Sequence, residues 1–181
     1  MSPGFEQHFL RRRSTNIHEL SRTPLRVLVT SAMWIDGGRW LPYAVLYTAF
    51  HAPAERWLGT ARWLAVCACA HVLASLVSEG LLLKAIKDGI APHSAVNTLD
   101  IGVSYALAGV VAVLTYRIAS PWRYGYLAAV LAVFTLPLAQ SPTFTDIGHF
   151  LAMLIGLACH PLTRGHAKAR NPKETPTTPT G

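Results

Sequence analysis

The stretch 99–116, LDIGVSYALAGVVAVLTY, is a continuous apolar run with one acidic residue near its start. Four further apolar runs cover 40–54, 63–83, 124–140 and 146–160. Because apolar and polar residues do not alternate in these runs, they predict helices rather than strands. A transmembrane helix takes about 20 residues, so the shorter runs predict tilt or local thinning of the bilayer. The sequence therefore predicts an all-α, polytopic transmembrane bundle with about five spans.

The composition agrees with a lipid environment. Hydrophobic residues make up 51% of the 181 residues and charged residues only 14%, whereas about a quarter of the residues in a soluble domain are charged. The net charge is +7. The basic residues lie between the apolar runs, where topology and anionic headgroups explain them better than nucleic acid does. The three cysteines show no zinc-type spacing. We expect the lipid bilayer as a partner, and no nucleic acid, metal or cofactor.

Three regions follow along the chain. Residues 1–24 form a basic N-terminal arm, and 25–160 form the transmembrane domain. This domain opens with the apolar stretch LRVLVTSAMWI at 25–35, which is too short to cross a bilayer and is expected to form a short amphipathic segment before the spans. The turn sequence Asp-Gly-Gly at 36–38 follows it. Residues 161–181 contain four prolines and are predicted to be a disordered cytoplasmic tail.

The distribution of basic residues predicts the topology. One side of the bundle would carry eight of them: Arg56, Arg62, Arg117, Arg123, Arg164, Lys168, Arg170 and Lys173. The opposite side would carry Lys84 and Lys87 in its loops. This bias predicts a cytoplasmic C-terminus in the plasma membrane. The arginine-rich arm disagrees, because five spans would place it outside. Either a helix precedes these five, or the arm lies on the outer surface.

Two short segments place reactive side chains inside spans. Asp-Ile-Gly at 100–102 precedes Ser104, and Asp-Ile-Gly at 146–148 precedes His149. The third and fifth spans run in the same direction, so the serine and the histidine lie at a similar depth, roughly one turn below the same surface. A serine nucleophile needs a base within hydrogen-bond reach, and the histidine is the candidate base.

Other residues around this pair have alternative interpretations. Asp100 and Asp146 fit the start of a helix, where Asp is favoured, although Asp146 could also orient the histidine as a triad acid does. His71, in the second span, is either a packed structural group or part of a polar network. Small residues that allow close helix packing recur on the two helices: Gly102, Ala106, Gly109, Gly148, Ala152 and Gly156.

These motifs resemble those of the rhomboid intramembrane serine proteases. The segment 102–105, Gly-Val-Ser-Tyr, is similar to the Gly-x-Ser-Gly motif of that family, and the segment 149–156 resembles its His-x-x-Gly-x-x-x-Gly helix. The stretch 31–59 is similar to the family's first loop, second helix and following turn. The resemblance covers roughly 25–160 and leaves the family's first helix without a counterpart.

The resemblance implies a rhomboid-like serine endopeptidase that cleaves single-pass membrane proteins with a Ser104–His149 dyad, supported by the flanking Gly102 and Tyr105. Tyr105 and Ala152 replace glycines of the family motifs. The positions that carry the family's oxyanion-stabilising His and Asn correspond to Pro42 and Leu46, whose side chains donate nothing. The alternative is therefore a catalytically inactive rhomboid-like protein that binds transmembrane helices of client proteins. A proton-linked transporter is a third possibility, although no inverted repeat is visible.

Overall fold

The computed structural model describes residues 14–33, 40–98, 102–140 and 142–165, and every regular element in these ranges is helical. The predicted all-α class is confirmed. The α-helices are α1 (Ile17–Arg22), α2 (Pro24–Ser31), α3 (Trp40–Leu46), α4 (Ala52–Leu58), α5 (Thr60–Lys87), α6 (Val103–Val113), α7 (Trp122–Gln140) and α8 (Phe144–Ala158). A π-helical turn, Tyr47–His51, joins α3 to α4. Short 3-10 helices cover His93–Asn97, Leu114–Tyr116 and His160–Thr163.

Three helices, α5, α6 and α8, pack together as the core of the bundle, and glycines set their separation. A β-carbon on Gly156 would overlap the carbonyl oxygen of Gly109 and lie 2.7 Å from its Cα. A β-carbon on Gly109 would in turn overlap the side chain of Ala70 in α5. Carbon atoms pack best about 3.5–4.0 Å apart, so only hydrogen at these positions permits this approach.

The first span extends beyond the predicted run at 40–54 and continues through Pro42. The chain is helical from α3 through the π turn to the end of α4. Pro42 lies in the first turn of α3, where its absent N–H leaves no bond unmade. Pro53 lies two residues after the π turn and cannot donate to the preceding turn, which explains why the helix widens there.

The other spans have boundaries a few residues from the predicted ones. α5 extends the run at 63–83 in both directions, and beyond its apolar part Lys84 pairs with Asp88. α8 begins two residues before the run at 146–160, because Thr143 caps it. Gly59 separates α4 from α5 with a φ of 80°, a left-handed conformation that favours glycine.

The lengths of the helices agree with a membrane bundle. α5 and α7 are long and apolar enough to cross a bilayer, and α8 and α6 with its 3-10 extension are shorter apolar helices. Only 6% of the most apolar 18-residue segment of α7 is buried inside the bundle. α7 therefore packs loosely on the bundle and presents most of its apolar side chains outward, as a lipid-facing helix does.

The segment before the first span contains two short helices. In α2 the side chains of Val27 and Ser31 are buried, while Leu25 and Val29 are exposed, so this helix has the amphipathic character predicted for 25–35. The predicted turn at 36–38 lies outside the described residues, as do 1–13 of the arm and 166–181 of the tail. The first residues of the tail form the 3-10 helix His160–Thr163.

Candidate functional site

Ser104 lies in the first turn of α6, which begins at Val103. Gly102 immediately precedes this helix and accepts hydrogen bonds at its carbonyl from the N–H groups of Tyr105 and Ala106. Ser104 is half-buried, whereas Tyr105 is fully buried. Two adjacent residues of one helix point in different directions, so the serine and the tyrosine lie on different faces of α6. Asp100 lies outside the described residues.

His149 lies in the second turn of α8, and the start of this helix is firmly capped. Thr143 accepts a hydrogen bond at Oγ1 from the Asp146 N–H (3.2 Å), and Asp146 Oδ2 accepts from the Thr143 N–H (2.9 Å) and hydroxyl (2.6 Å). This reciprocal pair is a capping box, which satisfies two N–H groups at the helix start. Asp146 therefore acts at the helix start, as one interpretation of the sequence expected, although the N-cap itself is Thr143.

Ser104 and His149 line one cavity of about 650 Å³. The cavity lies between the first span, α6, α7 and α8, and most of its walls are apolar. The first span contributes Tyr43, Leu46 and Phe50, and α7 contributes five residues: Tyr126, Ala129, Val130, Val133 and Phe134. The structure thus brings the predicted catalytic pair to one space between four helical segments.

Tyr105 replaces the glycine that follows the serine in the family motif, and its ring packs behind the histidine. The Tyr105 and His149 rings meet edge to face, with centroids 5.0 Å apart and planes at 79°. A β-carbon on Gly148 would overlap the tyrosine hydroxyl and lie 2.8 Å from its Cε1. The tyrosine therefore occupies a slot that Gly148 leaves open, and it limits how the imidazole can rotate. On the other side, the Phe134 ring lies 6.4 Å from the imidazole.

His71 lies at the junction of three elements. Its Nε2 donates to the Leu28 carbonyl in α2 (2.8 Å), and its Nδ1 lies 3.5 Å from the Ser75 hydroxyl within α5. Its ring also fills the space in which Gly102 would place a β-carbon. His71 therefore connects α2 to the start of α6, the helix that carries Ser104. It does not line the cavity that Ser104 and His149 share.

Two tyrosines of the site were not predicted from the sequence. Tyr43 is the one residue of the first span in the cavity wall that carries a hydrogen-bond donor, because Leu46 and Phe50 are apolar. Tyr126 donates its hydroxyl to the Val111 carbonyl (2.8 Å), and both residues line the cavity. The 3–4 spacing of Tyr43, Leu46 and Phe50 places them on one helix face, and this signal was available in the sequence.

Of the two positions expected to correspond to the family's oxyanion residues, the structure places one in the cavity wall and one outside it. Leu46 lines the cavity, whereas Pro42 is exposed and does not. Ala152, the residue in place of the family's first helix glycine, is fully buried between α5 and α6. Its methyl group is accommodated in the core, so the substitution is compatible with close packing.

Apolar helices around a cavity that holds a serine and a histidine define a polytopic membrane protein with a polar site inside the bundle. The chain belongs to the rhomboid-like family, because the family model described as rhomboid-like protein matches residues 1–169. The match confirms the resemblance and extends it beyond 25–160 into the arm and the tail. No curated protein and no solved structure gives a significant match.

Proposed function

We infer that this rhomboid-like membrane protein is an intramembrane serine endopeptidase, with Ser104 as nucleophile and His149 as general base. One observation carries the proposal: both side chains line the same cavity of about 650 Å³, although they are 45 positions apart in the sequence. The apolar walls suit a transmembrane segment of a single-pass membrane protein, and α7, which forms one of these walls, is mostly exposed.

The reaction would proceed through an acyl-enzyme. His149 accepts the hydroxyl proton of Ser104 while Oγ attacks the carbonyl carbon of the scissile peptide bond. The tetrahedral intermediate then collapses, the C–N bond breaks, and the imidazolium gives its proton to the leaving amine. A water molecule, deprotonated by His149, hydrolyses the ester and restores the serine. Edge-on packing of Tyr105 would hold the imidazole in one orientation through these steps.

The negative charge on the intermediate requires hydrogen-bond donors. In the family resemblance this task falls to side chains at positions where this chain has Pro42 and Leu46. Among the residues of the first span that line the cavity, Tyr43 carries a phenol, and a tyrosine hydroxyl is a known type of oxyanion donor. We assign this role to Tyr43, together with backbone N–H groups at the very start of α6, before Tyr105.

Labelling with a fluorophosphonate probe tests the proposal in the full chain. The probe should label the wild type and not Ser104→Ala. Ser78→Ala is the matched control, because Ser78 is a buried serine of α5 that does not line the cavity. It should be labelled like the wild type. Equal labelling of Ser104→Ala and the wild type would contradict the assignment of the nucleophile.

The second candidate function is a rhomboid-like protein that holds client transmembrane helices without cutting them. The specific observation in its favour is that Leu46 and Phe50 donate no hydrogen bond from the first span, and Tyr105 fills the place of a motif glycine. In this case the wild type would not react with the probe. A photo-crosslinker at Val133 in the cavity wall would still capture a transmembrane peptide.

The same topology argument supports a plasma-membrane location with the C-terminus in the cytoplasm. Arg62 lies in the first turn of α5, Arg117 lies between α6 and α7, and Arg123 lies in the first turn of α7. All three lie at the same end of the bundle as Arg164. Cytoplasmic loops are enriched in arginine and lysine. The serine and the histidine would then lie near the outer surface, where water can reach them.

A further inference from the structure

A second cavity lies at the opposite end of the bundle from Ser104, where α4, the 3-10 helix after α6, the start of α7 and the 3-10 helix after α8 come together. Its volume is about 270 Å³, and its polar lining includes Trp57, Tyr116, Arg123, His160, Thr163 and Arg164. A single water needs about 10–15 Å³ of such space, so the cavity can hold a much larger polar group.

Two arginines give this cavity a positive charge. Arg123 donates from Nε to the Ile118 carbonyl (3.1 Å), which fixes the direction of its guanidinium. The backbone at Arg164 is held in place because Arg62 donates from Nη1 to the carbonyls of Leu162 and Arg164, each at 3.2 Å. None of the described residues that line the cavity is acidic. The described lining of the cavity is therefore basic.

Aromatic side chains make the cavity rigid. The Tyr116 hydroxyl donates to the Leu157 carbonyl near the end of α8 (2.7 Å), and its ring lies 4.6 Å from the His160 ring. Trp57 forms a further wall. Trp122, at the start of α7, is 74% exposed next to this end of the bundle. Tryptophans are enriched at the membrane interface, so the cavity lies at the level of the lipid headgroups.

We propose that this cavity binds the phosphate group of an anionic phospholipid. An arginine guanidinium is planar and forms paired hydrogen bonds with phosphate oxygens, and basic pockets at helix ends on the cytoplasmic side bind anionic headgroups. The lipid source follows from position, because Arg123 in the cavity wall belongs to the first turn of α7, an apolar helix that is mostly exposed and along which acyl chains can lie. A bound lipid would bridge α7 and the 3-10 helix that follows α8.

Native mass spectrometry of the purified full chain, titrated in neutral detergent with phosphatidylglycerol or phosphatidylcholine, tests the proposal. The wild type should retain phosphatidylglycerol in preference to phosphatidylcholine, whose choline cation is repelled by the arginines. Arg123→Gln and Arg164→Gln should each weaken phosphatidylglycerol binding roughly five- to tenfold. One basic residue near an anionic membrane surface strengthens binding by about this factor.

Arg117→Gln is the matched control, because Arg117 directly follows the 3-10 helix Leu114–Tyr116 at the same end of the bundle but does not line the cavity. It should change binding less than about twofold. An equal loss in Arg117→Gln and Arg123→Gln would show general surface attraction and overturn the proposal, as would equal binding of the two lipids. Displacement of the lipid by inorganic phosphate at equal concentration would assign the site to a soluble anion instead. If Arg123→Gln does not fold, the exposed Arg164 carries the test.

Discussion

The contact between Gly156 and Gly109 gives the most direct test of the bundle core. In Gly156→Ala the added methyl group would meet the backbone of α6: it would overlap the Gly109 carbonyl oxygen and lie 2.7 Å from the Gly109 Cα. Normal carbon contacts need about 3.5–4.0 Å. The backbone cannot rotate away as a side chain does, so α6 and α8 would have to separate by about 1 Å.

The size of the effect follows from two opposing contributions. Overpacking of a well-packed interior costs about 1–3 kcal/mol, and the upper half of this range applies because the obstacle is backbone. Replacement of glycine by alanine inside a helix returns up to about 1 kcal/mol. The net loss in free energy of unfolding is about 2 kcal/mol, which for a chain of this length corresponds to a melting temperature lowered by about 4–8 °C.

Thermal unfolding in detergent measures this change, and Gly80→Ala provides the control. Gly80 lies in α5, and nothing within 4 Å surrounds the position of its added β-carbon. Its alanine variant should be as stable as the wild type or up to about 1 kcal/mol more stable. If both variants unfold at the same temperature, the close approach of α6 and α8 is wrong, and the shared cavity of Ser104 and His149 loses its structural basis.

Two further substitutions test the site. Tyr43→Phe should slow fluorophosphonate labelling by about a hundred- to a thousandfold if the phenol stabilises the oxyanion, whereas Tyr124→Phe, on the exposed surface of α7, should not; equal rates would remove Tyr43 from the mechanism. Thr143→Ala should destabilise the chain by about 1 kcal/mol in thermal unfolding, because the capping box with Asp146 is lost, and Thr143→Ser, which keeps the hydroxyl, should restore most of it. A Thr143→Ala variant as stable as the serine variant would show that the cap is unimportant.

The sequence predicted those parts of the fold that depend on composition and period. Apolar runs identified the five spans, because the bilayer imposes both their length and their helical backbone. Matched depth placed Ser104 and His149 at the same end of the bundle, since two co-directional helices enter the membrane from the same surface. The small residues Gly109 and Gly156 were expected at close helix contacts, and they meet each other directly.

Features that depend on three-dimensional neighbours were not predictable in the same way. A proline such as Pro53 either interrupts a helix or widens the preceding turn into a π turn, and packing against neighbouring helices decides which of the two occurs. The fully buried Tyr105 looked like a departure from a motif, but its meaning depends on the gap left by Gly148 on another helix. The basic cavity joins Trp57, Arg123 and Arg164, which are distant in the sequence, and in the sequence the two arginines indicate only topology.

The choice between protease and client-binding protein depends on a small part of the molecule. Both functions need the cavity, the close packing at Gly109 and access from the lipid, so these features cannot separate them. Proteolysis additionally needs an activated serine and a stabilised oxyanion, and a single lost oxyanion donor costs about 2.7–4 kcal/mol of transition-state stabilisation. A chain in which Tyr43 supplies that donor can remain an enzyme despite Pro42 and Leu46. The effect of Tyr43→Phe on labelling therefore distinguishes the two functions more sharply than any change to the packing of the bundle.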